Sequence, residues 1–213
     1  MAARPDPQAW SGSYAAAMPD GRRLLLPIRD FGDTAVAGLI ANQASFAVLD
    51  QIATWVAAAA APFNSEIVMG LPTLGHTVGA TVARALGHAN WVAPSTTRKR
   101  WYDDALSVPL ASITSPATGA NAARRMWLDP WLLPRLQGRR VLLVDDVIST
   151  GSSAQAGLAQ LRAAGVDPVG LAVAMIQGDA WRAAWPDVPV VAAFATPRFR
   201  RVPEGWVPIA ASR

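Results

Sequence analysis

Val141-Leu142-Leu143-Val144-Asp145-Asp146-Val147-Ile148-Ser149-Thr150-Gly151-Ser152-Ser153 is the stretch from which the fold of this 213-residue chain is predicted. It opens with four aliphatic residues, as in a central parallel strand with both faces covered, and the strand is predicted to end at the acidic pair. Residues 154–161 then form a helical pattern with Leu158 and Leu161 on its buried face. The order strand, polar loop, helix places the loop at the carboxyl end of a strand, where open α/β sheets bind ligands.

The polar loop has the composition of a phosphate site. Its hydroxyl donors are Ser149, Thr150, Ser152 and Ser153. Gly151 lets the backbone approach a ligand, and the first amides of the following helix are unpaired. Asp145 and Asp146 repel a phosphate, so they are expected to meet sugar hydroxyls or a divalent cation that bridges to the ligand. For the strand and acids alone, a second interpretation has equal weight: the carboxylates cap the helix and the serines are ordinary loop residues.

The full pattern resembles the phosphoribosyl pyrophosphate signature of the type I phosphoribosyltransferases. The resemblance implies an α/β fold, an open parallel sheet of about five strands flanked by helices, with a small hood. It implies that Asp145 and Asp146 act in catalysis and meet the ribose hydroxyls of the donor, with Mg²⁺ held indirectly through the donor, and that residues 149–153 hold the 5′-phosphate. A nucleotide hydrolase would need a Gly-x-x-x-x-Gly-Lys-Ser/Thr loop, which the chain lacks.

A second strand, loop and helix unit precedes the signature, with a strand predicted over 66–70 and a helix from about 77 to 86. The resemblance implies that the loop between them binds pyrophosphate through backbone amides, with the Thr73 hydroxyl added. The loop residues are Leu71, Pro72, Thr73, Leu74 and Gly75. The structural alternative is a plain turn formed by Pro72 and Gly75. His76, at the start of the helix, is expected to pack or cap rather than to act as a base.

An exposed segment, residues 95–104, follows a strand predicted at 91–93. It carries three cations, two aromatic residues and two acids, which cannot all be buried, and a solvated charge run is one interpretation. The resemblance implies a mobile loop that closes over the reacting ribose and excludes water, with residues 108–114 as its returning arm. Arg98, Lys99 and Arg100 would then meet pyrophosphate, and Lys99 and Tyr102 would take part in catalysis.

The acceptor implied by the resemblance is a nucleobase, with a purine favoured. A hairpin predicted over 13–28 around Pro19-Asp20-Gly21, followed by Arg29 and Asp30, is similar to the adenine-using branch. Ile28 and Val147 are the expected base contacts. Ser149 stands where members that use hypoxanthine or guanine carry an aspartate base, and Leu74 stands where the adenine branch carries arginine.

The remaining elements follow from hydrophobic periodicity. A helix is predicted from Gln43 to about Ala60, capped by Asn42, and its buried stripe comprises Phe46, Leu49, Ile52 and Val56. Further strands are predicted over 169–175 and 188–194, with a short helix between them, while the tail over 198–206 has no assignable pattern. Trp127 and Trp131 belong to a Trp- and Leu-rich segment that is expected to form a homodimer interface.

Composition predicts a well-packed globular chain. Hydrophobic residues make up 52% and charged residues 16%, and a net charge of +4 without a concentrated basic stripe argues against a nucleic-acid partner. No cysteine and no signal-like start are present, so a cytoplasmic protein without a membrane span is expected. One domain over 1–213 is expected, with a hood at about 10–40, a core at about 42–195 and a tail at 196–213. A non-catalytic regulator that binds phosphoribosyl pyrophosphate is the alternative to the enzyme.

Overall fold

The computed structural model describes residues 9–110, 124–183, 185 and 188–209. Its strands are β1 (Ser13–Ala17), β2 (Arg23–Asp30), β3 (Thr34–Ala37), β4 (Ile67–Gly70), β5 (Ser107–Pro109), β6 (Arg125–Trp127), β7 (Val141–Ile148), β8 (Gly170–Gln177), β9 (Val190–Thr196), β10 (Arg198–Val202) and β11 (Gly205–Pro208). Its α-helices are α1 (Phe46–Ala60), α2 (Gly75–Ala85), α3 (Leu133–Leu136) and α4 (Ser152–Ala163).

The core is a parallel sheet with strand order β4-β7-β8-β9. Val92 extends it by one parallel bridge to Met69, so the region predicted as a fifth strand contributes one paired residue at the edge. Helices α1 and α2 cover one face and α4 covers the other. Because both faces are covered, the first four residues of β7 are all buried, which is why they form an unbroken aliphatic run. The predicted open α/β sheet is confirmed.

Strand β7 does not end at the acidic pair, and that prediction was wrong. Asp145 pairs with Val173, and the ladder continues as far as Ile148 paired with Ile176. The strand continues because β8 runs equally far and offers backbone partners along this length. The two acids therefore lie within a strand, and the polar loop begins after them.

Helix α1 packs its Leu49, Ile52 and Val56 into the core as predicted, but its start differs. The cap is Ser45, whose hydroxyl accepts from the Val48 amide at 3.3 Å. The predicted cap, Asn42, lies in a separate 3-10 turn at Ala41–Gln43. The helix thus begins one turn later than predicted. Phe46, its first residue, consequently faces solvent and is 85% exposed, so its place on the buried stripe was also wrong.

The stretch Phe46–Phe63, α1 with the turn after it, has a mean hydropathy of 1.4. Within the part of the chain that the structure describes, it is the single helix long and apolar enough to cross a membrane by length and composition. A core helix of a soluble protein passes the same test. Here the inner face of α1 packs against β8, β9 and α2, which accounts for its composition.

The hood is a second sheet of five antiparallel strands in the order β1-β2-β3-β10-β11. The predicted hairpin supplies β1 and β2, and the tail without an assignable pattern supplies β10 and β11. Phe199 of β10 is fully buried and packs edge-to-face on Tyr14 at 5.1 Å. Trp10 and Trp206 exchange two backbone hydrogen bonds at 2.8 and 2.9 Å. Segments that are far apart in the chain, β1 to β3 and β10 to β11, therefore form one sheet.

A small hairpin of β5 and β6 lies beside α4, and its connecting residues 111–123 are outside the described residues, as is the end of the predicted returning arm. Trp127 is only 8% exposed and packs within the protein, whereas Trp131 is 85% exposed. Of the two tryptophans expected at an interface, only Trp131 offers its ring to a partner.

Candidate active site

A cleft of about 390 Å³ opens between the carboxyl ends of the core strands and the hood. Its core side is formed by Leu74, Asp146, Val147, Ile148, Ser149, Thr150, Gly151, Ser152, Ser153, Ala154 and Gln177. Its hood side is formed by Arg29, Phe31, Val36, Ala37, Gly38, Leu39 and Ile40. All five residues predicted to hold a phosphate line this single cleft, together with one of the two acids.

The polar loop is shaped by one left-handed residue. Gly151 has φ of +84°, a conformation that a residue with a Cβ rarely adopts, and it turns the chain from β7 into α4. The Gln155 amide already bonds the Gly151 carbonyl at 2.8 Å, so the helix starts at once. The first amides of α4 have no partners within the helix. The hydroxyl oxygens of Thr150 and Ser152 lie close by, 3.3 Å from each other. Together these amides and hydroxyls form a group of donors suited to a phosphate.

The acidic pair is divided between two faces of β7, because successive side chains on a strand alternate. Asp146 lines the cleft. Asp145 is 5% exposed and lies against the start of α2, where a Cβ on Gly75 would be 2.5 Å from Asp145 Oδ1. Only glycine fits at position 75 for that reason. Asp145 thereby packs β7 against the end of the loop predicted to bind pyrophosphate. The predicted contact of Asp145 with the ribose stays a prediction.

Burial raises the pKa of the Asp145 carboxyl well above its ordinary value, and the neighbouring Asp146 raises it further. Burial also raises the pKa of Asp146. Among the described residues neither carboxylate forms a salt bridge, and no group of three or more acidic or histidine side chains forms a metal cage. Asp146, the acid that lines the cleft beside the polar loop, offers a carboxylate of the kind that fits a Mg²⁺ ion whose other ligands are oxygens of a bound phosphate ester.

In the loop predicted to bind pyrophosphate, residues 71–75, part of the backbone already forms hydrogen bonds within the protein. The Leu71 amide donates to the Val144 carbonyl at 2.8 Å and its side chain is 1% exposed. Its predicted role as an amide donor to pyrophosphate stays a prediction that would require this hydrogen bond to break. The amide is engaged because the hydrogen bonding between β4 and β7 extends one residue beyond β4. The Pro72–Thr73 peptide is cis, and Thr73 is exposed. Leu74 lines the cleft, and Gly75 begins α2. The Thr77 amide donates to the Leu74 carbonyl at 3.1 Å, so the amides without a helical partner are those of Gly75 and His76.

The charged segment does not reach the cleft in this conformation. Arg98 pairs with Asp104 at 3.2 Å and lies 5.3 Å from the centre of the Trp127 ring. Tyr102 stacks on the same ring at 6.4 Å, and burial raises the pKa of its phenol. Lys99 and Arg100 are exposed. Their predicted roles with pyrophosphate, and those of Lys99 and Tyr102 in catalysis, stay predictions that would require this segment to move.

The structure alters the set of candidate base contacts. Val147 lines the cleft, whereas Ile28 packs against the core and is not part of the lining. The turn after β2 instead presents Phe31, 58% exposed, beside Arg29. Arg29 directly follows Ile28, and Phe31 directly follows Asp30, so both belong to the segment that the sequence indicated. A base contact by Ile28 stays a prediction.

Gln177 was missed altogether, although a signal for it existed. It is the polar residue that ends the apolar run of β8, and the carboxyl end of a parallel strand is where a ligand is bound.

His76 packs rather than facing the cleft. Its ring meets Trp91 edge-to-face at 5.8 Å, and burial lowers its pKa, so the imidazole is neutral at physiological pH. This position agrees with the prediction that His76 is a packing residue.

Comparison with known proteins places the chain in a family. A model of the phosphoribosyl transferase domain matches residues 36–187. An adenine phosphoribosyltransferase of Streptomyces coelicolor is 32% identical over 169 residues, which cover 73% of this chain and 82% of the relative.

Solved structures share the fold. The adenine phosphoribosyltransferase of Thermoanaerobacter pseudethanolicus matches with a TM-score of 0.57 at 16% identity, covering 70% of this chain and 81% of that one. The enzyme of Saccharomyces cerevisiae, in complex with adenine and an imino-altritol bisphosphate, matches with a TM-score of 0.55 at 16% identity, covering 86% and 94%. The predicted fold and enzyme class are confirmed, and the chain belongs to the phosphoribosyl transferase family.

Proposed function

We propose that the protein transfers the phosphoribosyl group of phosphoribosyl pyrophosphate to a purine nucleobase in a Mg²⁺-dependent reaction. The observation that carries this proposal is the single cleft, which combines the phosphate loop, the Asp146 carboxylate and an apolar hood surface. A phosphate, a sugar and a planar base are the three parts of a nucleotide. The printed names of the relatives, adenine phosphoribosyltransferases, support adenine as the first acceptor to test.

The donor is held from its phosphate end. Residues 149–153 bind the 5′-phosphate through hydroxyls and the first amides of α4, and Asp146 accepts hydrogen bonds from the ribose hydroxyls. Bound Mg²⁺ supplies positive charge that stabilises the departing pyrophosphate. In the reaction the bond from ribose C1 to the pyrophosphate oxygen breaks, a bond from C1 to a base nitrogen forms, and the base loses a proton.

The protein's contribution is positioning and exclusion of water. The transition state is expected to carry positive charge on the ribose ring, which water readily captures. Val147 and Phe31 offer apolar surfaces against which a planar base packs. Movement of residues 98–102 from Trp127 towards the cleft would bring the cations to the pyrophosphate.

The proposal includes a homodimer. Trp131 lies on the turn Pro130–Leu132, and 85% of its surface is exposed. Trp101 is 66% exposed, and its indole Nε1 donates a hydrogen bond to Asp129, the residue before this turn. Aromatic side chains of this kind are enriched at subunit interfaces. Sedimentation of the wild type and of Trp131→Ser tests it, with a dimer expected for the first and a weaker dimer for the second.

The decisive experiment measures pyrophosphate release with the donor and Mg²⁺ in the presence of adenine, hypoxanthine, guanine or orotate. Release with a purine, lost on chelation of Mg²⁺, is the expected result. Tight donor binding without release for any base would instead identify a regulator. Release with orotate alone would contradict the purine acceptor.

A further inference from the structure

Gln177 is a buried polar residue that the fold does not fully satisfy. It ends β8 at the mouth of the cleft with 6% of its surface exposed. Its Nε2 donates to the Ala37 carbonyl of β3 at 2.9 Å. This hydrogen bond connects the core sheet to the hood, so the side chain is held at the point where the two walls of the cleft meet.

The other end of the same amide is free to bind a ligand. Among the described residues nothing donates to Gln177 Oε1, and this oxygen is not one of the fully enclosed unpaired side-chain atoms. Since Gln177 is 6% exposed and lines the cleft, the cleft is the side from which a donor would reach this oxygen. Rotating the amide by half a turn would set Oε1 against the Ala37 carbonyl, two acceptors facing each other, so the orientation is fixed by the hood.

We propose that Gln177 determines acceptor specificity by accepting a hydrogen bond from the exocyclic amino group of a 6-aminopurine. A 6-oxopurine would present a carbonyl oxygen to Gln177 Oε1, leaving two buried acceptors without a donor, which is costly. The inference rests on the proposed function and names the group by which the base is selected. It is consistent with Ser149, which provides no acidic base at its position in the loop.

Apart from Asp146 and the hydroxyls of the polar loop, which the proposed function assigns to the donor, Arg29 is the other polar side chain of the described lining that could choose between the two bases. Arg29 lines the hood wall and only donates hydrogen bonds, so it would favour a 6-oxo group. Its Cγ lies 3.1 Å from where a Cβ on Gly38 would be, so the side chain runs along the hood backbone. Selection by Gln177 therefore predicts a preference for a 6-aminopurine, and selection by Arg29 predicts a preference for a 6-oxopurine. Measured base specificity distinguishes the two.

The test compares kcat/KM for adenine and hypoxanthine in the wild type, Gln177→Met and Gln177→Lys. Wild type is expected to prefer adenine, and Gln177→Met is expected to reduce that preference at least about tenfold, because the acceptor is gone. Gln177→Lys keeps a donor for the Ala37 carbonyl and offers one to a 6-oxo group, so its preference should fall further. It also keeps the test valid if the methionine variant does not fold.

Gln160→Met is the matched control. Gln160 is also buried, and its Nε2 donates to the Leu106 carbonyl, but it does not line the cleft. This variant is expected to keep the wild-type ratio of adenine to hypoxanthine, whatever its stability.

Three outcomes overturn the inference and are distinguishable. A Gln177→Met variant that slows both bases equally would show a structural role, with the proposed function intact. A wild type that prefers hypoxanthine would point to Arg29, again with transfer to a purine intact. No pyrophosphate release from the wild type with any base would remove the proposed function and the inference together.

Discussion

Asp145 and Asp146 are neighbours in the sequence, but each has a different environment. Asp146 faces the cleft, while Asp145 is enclosed against Gly75 and its Oδ1 accepts the Asp146 amide at 2.9 Å. Alternation along a strand separates them, because one residue further along β7 reverses the face. We therefore expect substitution of the two acids to have different consequences, although the sequence motif presents them as a pair.

Asp146→Asn is expected to weaken binding of the Mg²⁺-bound donor at least tenfold, about 1.4 kcal/mol, because it removes the carboxylate that lines the cleft. The double variant with Asp145→Asn should abolish binding while the protein stays folded. Calorimetric titration measures this. Asp167→Asn is the control, since Asp167 is exposed, pairs with Arg162 and does not line the cleft. Unchanged donor affinity in the double variant would refute the site.

Asp145→Asn is expected to stabilise the ligand-free protein at neutral pH. Burial raises the pKa of Asp145, so the folded state favours the protonated form. The stability that protonated Asp145 contributes is therefore fully present below the pKa of this group in the unfolded state. It is lost as the pH rises through its pKa in the folded state. Urea unfolding at pH 7 and near pH 4 should show an advantage for the variant at pH 7 that shrinks at pH 4. An advantage that grows on acidification would contradict the assignment.

At the scale of the elements, the start of α1 illustrates how a cap is selected. Asn42 and Ser45 both have side chains suited to capping, but only Ser45 has extended backbone directly before the helix and a hydroxyl within reach of the Val48 amide. Asn42 itself lies within the 3-10 turn Ala41–Gln43, in which Ala41 is buried. Packing of that turn, rather than residue preference, determines where the helix begins.

Ser45→Ala is expected to lower the free energy of unfolding by about 1 kcal/mol, because the Val48 amide loses its acceptor. Asn42→Ala is the matched control and should change stability by less than about 0.5 kcal/mol. Thermal or urea unfolding distinguishes them. If Asn42→Ala were the more harmful of the two, the helix would begin earlier than the structure shows.

At the scale of the whole molecule, the hood is assembled from residues that are far apart in the chain. β3 lies between β2 and β10, so the tail completes the wall that carries Arg29 and Phe31. Phe199 of β10 is enclosed between Tyr14 and the core. Strands β10 and β11 thus support the hood side of the cleft without lining it.

Phe199→Ala is expected to cost about 3–5 kcal/mol of stability, as for other buried aromatic residues, and to raise KM for the base by loosening the hood. Phe46→Ala is the control, because Phe46 is 85% exposed, and it should change stability by less than about 0.5 kcal/mol. Unfolding curves and steady-state kinetics check the pair. Equal effects for the two phenylalanines would contradict the hood packing.

By itself the sequence determined the α/β fold, the polar loop after its central strand and the acidic pair. The aliphatic run of β7, Gly151 and the hydroxyls around it are local features whose chemistry is fixed by neighbours in the chain. Only the tertiary structure decided which acid faces the cleft, that the tail completes the hood, and that Gln177 meets Ala37 across 140 residues. These depend on strand register and on contacts between distant segments, which local periodicity does not encode.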